Sequence, residues 1–100
     1  MPNHSTHQKL EAFARLQDGW HYGMGNPPTA STLKYAKAIL GMYEAVGLQE
    51  TDAFCSQDGE VMVTAYFENG YLECDINPDG SCWFQHDDGR ELLGPKGPSF

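Results

Sequence analysis

Between Gly59 and Asp88 the chain reads GEVMVTAYFENGYLECDINPDGSCWFQHDD, and side-chain character alternates along it through two consecutive turn signals. A period of two is what a strand with one buried face requires, so this stretch predicts a β-meander. Asn69-Gly70 suits a two-residue type I′ hairpin. That turn sets Glu68 opposite Tyr71, Phe67 opposite Leu72 and Val63 opposite Ile76. Asn77-Pro78-Asp79-Gly80 suits a type I turn with proline second and a left-handed glycine behind it, which brings Ile76 to Cys82. With these registers Val61, Val63, Ala65, Phe67, Leu72, Cys74, Ile76, Cys82 and Phe84 share one face, the expected core. Met62, Thr64, Tyr66, Tyr71, Glu73, Asp75, Trp83, Gln85 and Asp87 share the other. A face that only meets water has no need of so many aromatic side chains, so the second face is the candidate binding surface. A slip of one residue in either hairpin would exchange the two sets.

Upstream of the meander the period lengthens. Leu10, Phe13, Ala14 and Leu16 predict a short amphipathic helix, capped by Ser5 or Thr6 and reaching about residue 17. Residues 1–4 are expected to fray, with His4 and His7 in a segment too short and polar to anchor. Leu33, Ala36, Ile39, Leu40, Tyr43 and Val46 form a second stripe, over residues 31–46, with Thr29 or Ser31 as cap and Gly47 as terminator. This helix is the natural lid for the apolar face of the sheet. A short strand at 53–56 then turns at Gln57-Asp58-Gly59 into the meander and puts Cys55 on the buried side near Val61.

The loop from Trp20 to Pro28 is rich in glycine, proline and aromatics. Trp20 and Tyr22 could stack on a ligand there. A long loop in a small domain also needs an anchor, however, and a tryptophan between glycines is expected to plug the end of the core. Gly23-Met24-Gly25 follows no strand, so it is no dinucleotide fingerprint. Together these elements predict an α+β domain over residues 1–93, with two N-terminal helices packed on one face of a four-stranded antiparallel meander. Residues 94–100 read as a flexible tail.

With 100 residues the chain can bury a single core without metal or disulfide staples. The N-terminus lacks a basic-then-apolar leader and no apolar run approaches membrane-spanning length, so a cytoplasmic location is expected. Three cysteines leave at least one unpaired, and Cys74 and Cys82 are not directly opposite each other, so reduced, buried thiols are expected. The net charge is −8, and it is unevenly placed. Residues 1–49 carry Lys9, Arg15, Lys34 and Lys37 against Glu11, Asp18 and Glu44, whereas the remainder sets eleven carboxylates against Arg90 and Lys96 alone. An acidic sheet half repels nucleic acid and anionic membrane and attracts a basic protein surface.

Enzyme-like constellations are weak. Cys74 and His86 fall diagonally across the second hairpin, but a thiol among aliphatic side chains has a raised pKa and poor nucleophilicity. Cys55, Cys74, Cys82 and His86 are of the right types for zinc but lack closely spaced ligand pairs. Neighbouring carboxylates on a strand, Asp87 and Asp88, point to opposite faces, which leaves no pair to hold a cation with Glu91. No catalytic residue, cofactor or metal is therefore assigned.

Gly19-Trp20, Gly23, Gly25, Pro27-Pro28, Asp58-Gly59-Glu60-Val61 and Asp79-Gly80-Ser81 together resemble a pattern found in small bacterial and phage accessory proteins. In that pattern a tryptophan and glycine stretch precedes a helix and a meander. The resemblance spans residues 18–88 and departs from the pattern at Tyr66, where a tryptophan is expected. It implies an accessory factor, an antitoxin or an anti-defence protein.

The reading that results is a non-enzymatic, stoichiometric inhibitor, of the phage anti-CRISPR or antitoxin kind, that occupies a basic nucleic-acid-binding surface of a larger protein. Tyr66, Tyr71 and Trp83 would anchor it, with Glu73, Asp75, Gln85 and Asp87 as polar partners. Two alternatives stand beside it: a homodimeric structural protein using the same face, and a small zinc-binding protein.

Overall fold

The computed structural model of the chain describes residues 2–21 and 23–87. Met1, Tyr22, Asp88, the last residues of the expected domain at 89–93 and the expected tail at 94–100 lie outside the described residues. Two helices, α1 (Asn3–Phe13) and α2 (Ala30–Ala45), precede four strands, β1 (Glu50–Cys55), β2 (Val61–Phe67), β3 (Gly70–Ile76) and β4 (Cys82–Asp87). The strands pair antiparallel in the order β1-β2-β3-β4, and the protein is α+β as expected.

Helix α2 begins where its cap residue dictates. Thr29 stays extended and its side chain accepts the Thr32 N–H at 3.1 Å, filling one of the open donors of the first turn. At the other end Gly47 takes φ of 89°, its N–H bonds the Glu44 carbonyl, and Leu48 N–H returns to Tyr43 O at 2.9 Å. That is a Schellman closure, and it leaves Val46 outside the helix and 69 % exposed rather than on the buried stripe.

Helix α1 departs further from expectation. It starts at Asn3 behind Pro2 and ends at Phe13, so Ser5 and Thr6 lie inside it. From Pro2 onward the segment is tied down, not frayed. Asn3 Nδ2 donates to Leu48 O at 2.9 Å, Thr51 Oγ1 lies 2.7 Å from Asn3 Oδ1 and 2.8 Å from Thr6 Oγ1, and Pro2 bridges to Glu50. His7 reaches Glu44 of α2 at 3.1 Å. Buried Thr6 and Thr51 satisfy each other, which removes the cost of placing hydroxyls in a core.

One core lies between the helices and the inner face of the sheet. Leu10, Leu33, Ala36, Leu40 and Tyr43 meet Ala53, Val61, Val63, Ala65, Cys74 and Ile76, all buried. Tyr43 crosses this layer and donates its hydroxyl proton to Val63 O at 2.9 Å, so its polar tip is matched. Burial pushes its pKa far above the ordinary tyrosine value, which keeps the donor in place.

The second hairpin has the expected register, Ile76 opposite Cys82, with Gly80 at φ 89° and Gly80 N–H bonding Asn77 O. The first is shifted by two. Phe67 pairs with Gly70, Tyr66 with Tyr71 and Val63 with Cys74, so the two-residue connection is Glu68-Asn69 and not Asn69-Gly70. This register gains an aromatic cross-strand pair and a 3.3 Å contact from Thr64 Oγ1 to Glu73 Oε1, contributions of the kind that outweigh a preferred turn dipeptide. A shift of two leaves each residue on its expected face. Phe67 and Cys82 nevertheless sit toward the ends of their strands, and both are exposed where burial was expected.

Candidate functional site

The outer face of the sheet, away from the helices, carries the expected set in three rows. Because paired residues share a face, the registers align Glu50, Tyr66, Tyr71 and Asp87 in the first row. Asp52, Thr64, Glu73 and Gln85 form the second, and Phe54, Met62, Asp75 and Trp83 the third. Tyr66, Tyr71, Glu73, Asp75, Trp83 and Gln85 therefore share one surface. Asp87 has its expected strand position opposite Tyr71.

Aromatic side chains on this face stand in water. Trp83 is 49 % exposed, Phe54 43 % and Tyr66 40 %, an apolar concentration that folding itself leaves unused. Polar groups lie between them. Thr64 is buried on this outer side, shielded by its larger neighbours, while Glu73, Asp75 and Gln85 are half-buried. Gln85 Nε2 donates to Asp75 Oδ2 at 2.8 Å. The other Asp75 oxygen, Oδ1, is fully buried and has no hydrogen-bond donor among the described residues.

Glu73 and Asp75 are two residues apart on one strand, so their carboxyls lie side by side. Burial, followed by hydrogen bonding and charge repulsion from Asp75, pushes the Glu73 carboxyl up to about 7, and Thr64 pulls weakly the other way. Tyr66 is raised as well, by burial first and then by Asp52 and Glu73.

Three members of the face were missed by sequence reasoning. Glu50 and Asp52 belong to it because β1 begins at Glu50, three residues before the expected start, and Phe54, inside the expected strand, lies on the outer side opposite Met62. The signal was present in the alternation of Glu50, Asp52 and Phe54 with Thr51, Ala53 and Cys55. Lys9 of α1 reaches round the edge strand to this side, pairs with Asp52 Oδ1 at 2.8 Å and lies 4.4 Å from the centre of the Phe54 ring.

The Trp20 loop is anchored at the opposite end of β1. Asn26 N–H bonds Gln57 O, and Gly25, with φ of 93°, comes so close that a Cβ would sit 2.9 Å from that same carbonyl. Trp20 does not plug the core. Its indole N–H bonds Asn26 O at 2.8 Å and its ring meets His21 edge-on, so it braces its own loop.

Thiol chemistry is suppressed where the thiol is buried. Burial pushes Cys74 up to about 12 and Cys55 up to about 11, and the nearby Cys82 adds to the first shift. Cys74 and His86 are diagonal neighbours, as the second register requires. Among the described residues, no three histidine, cysteine or carboxylate side chains come together as a metal site. No described helix is long and apolar enough to cross a membrane.

Comparison of the chain with protein-family profiles, with curated proteins and with solved structures finds no match.

Proposed function

We propose that the protein is a non-enzymatic stoichiometric inhibitor that docks its outer sheet face on a basic, nucleic-acid-binding surface of a larger cytoplasmic protein. The observation that carries this reading is the juxtaposition of exposed Trp83, Phe54 and Tyr66 with the half-buried carboxyls of Glu73 and Asp75 on one face. Tryptophan and tyrosine are enriched among the residues that dominate binding energy, and carboxylates beside them favour a partner of opposite charge. The net charge of −8 favours a basic partner over nucleic acid itself. An antitoxin and an anti-defence protein both satisfy this description, and each would act by occupying its partner's nucleic-acid site.

Affinity capture from a bacterial host, comparing wild type with Tyr66→Ala/Trp83→Ala, tests the reading when followed by a titration. A protein captured only by wild type should, once purified, lose nucleic-acid binding at one equivalent of wild type and keep it with the double variant. Equal inhibition by both proteins would remove the face from consideration. Sedimentation at micromolar concentration should give a monomer; a dimer that the double substitution dissociates would replace inhibition with self-association.

A further inference from the structure

The centre of the outer face sets carboxyls beside aromatic rings. Asp75 lies directly opposite Trp83, and Glu73 lies between Asp75 and Tyr71 along the same side of β3, with Tyr66 across from Tyr71. Two adjacent carboxyls flanked by a tryptophan and two tyrosines suit a planar, weakly hydrated cation that can fork onto carboxylates and stack on rings. Guanidinium has those properties and ammonium does not.

In the free protein the same pair is under-supplied with donors. Thr64 contacts Glu73 and Gln85 bonds Asp75 Oδ2, and the buried Asp75 Oδ1 is left without a donor from any described residue. A proton held between the two carboxyls supplies that donor and removes one of two like charges.

We propose that the Glu73–Asp75 pair holds one shared proton in the free protein and exchanges it for the guanidinium of an arginine on the docking partner. This inference rests on the docking reading above and names its regulation: docking releases a proton to solvent and is weakened by acid. Other ionisable groups on this face are Glu50 and Asp52 from β1, Tyr66 from β2, Tyr71 from β3 and Asp87 by its strand position on β4. Lys9 of α1 is paired to Asp52, and Tyr43 of α2 approaches from beneath the sheet with its hydroxyl committed to Val63 O. Neither Lys9 nor Tyr43 offers the pair a second proton.

The sign of the effect follows from linkage. The Glu73 carboxyl is raised to about 7 in the free protein, and a bound cation favours its ionised form, so affinity climbs as pH rises toward that value and then levels off. The probe is an acetylated hexa-arginine amide, titrated into the full chain and followed by fluorescence anisotropy, with calorimetry in two buffers of different ionisation enthalpy. Binding to wild type should be about thirtyfold weaker at pH 5.5 than at pH 8, the ceiling for a single carboxyl titrating near 7, with up to one proton released per peptide near pH 6. Histidine as a residue type also changes charge in this window, so the deciding comparison is with Glu73→Gln, which should lose most of the pH dependence. A matched hexa-lysine peptide should bind less tightly. Wild-type affinity with the same pH profile as Glu73→Gln, or lysine bound as well as arginine, would overturn the exchange; if Trp83→Ala still weakened the peptide, the docking reading would survive. Absence of arginine-peptide binding at every pH would overturn both.

Discussion

The two faces of this sheet are built from alternate residues of the same four strands, yet they obey different rules. On the inner face Val61, Val63, Ala65, Cys74 and Ile76 disappear under two helices, and the polar tips that α2 buries there, the Tyr43 and Thr32 hydroxyls, each have a carbonyl. On the outer face the strands present Phe54, Tyr66 and Trp83 to water around a carboxyl pair that folding alone would not place there. Burying Glu73 beside Asp75 costs stability at neutral pH, because ionisation sets two like charges together at low dielectric. The contrast teaches that the inner pattern is explained by folding and the outer one requires another cause.

Substitutions that treat the faces unequally would sharpen this contrast. The largest effect is expected inside: Ile76→Ala, at a fully buried position, should cost about 2–5 kcal/mol in denaturant unfolding through lost transfer energy and a cavity. Next comes the tie between Tyr43 and the Val63 carbonyl. Tyr43→Phe keeps the ring and leaves the Val63 carbonyl one donor short, so about 1 kcal/mol should be lost with the cooperativity of unfolding unchanged.

Outside, the expected sign reverses. Glu73 has its folded pKa raised above the unfolded value, so its stabilising neutral form is fully present at low pH and is lost as pH rises toward about 7. Glu73→Gln should therefore match wild type in thermal unfolding near pH 4.5 and exceed it at pH 8, by about 1 kcal/mol once its partial exposure is discounted. A Gln variant less stable than wild type at pH 8 would mean that the ionised carboxylate is a structural asset. The smallest effect should be that of Tyr66→Ala/Trp83→Ala, within about 1 kcal/mol of wild type in unfolding, because both residues are already close to half exposed and lie outside the core.

Most of the fold was readable because strand alternation and turn chemistry are local. The Asn77 to Gly80 turn fixed the second register, and the Gly47 terminator fixed the end of α2. The first hairpin was misplaced by two residues, since Asn69-Gly70 is a good turn in isolation while the pairing of Tyr66 with Tyr71 is visible only across strands. The outer face survived that error because side chains repeat every two residues. What local pattern could not reveal were long-range ties. Asn3 and Thr6 meet Thr51 across nearly half the chain, which orders a first helix whose start composition alone would leave frayed. Glu50 and Asp52 escaped notice for a related reason: no turn signal marks where β1 begins, so half of that strand was read as a lead-in.

The claim that the inner face folds the protein and the outer face recognises a partner is tested most directly by mapping backbone amide shifts while titrating the hexa-arginine peptide. The account predicts that perturbations concentrate at Tyr66, Tyr71, Glu73, Asp75 and Trp83, with saturation at one equivalent. Perturbations spread evenly over Asp58, Glu60, Glu68 and Asp79, the carboxylates of the turns, would show that the peptide follows net charge alone, and the recognition face would be contradicted.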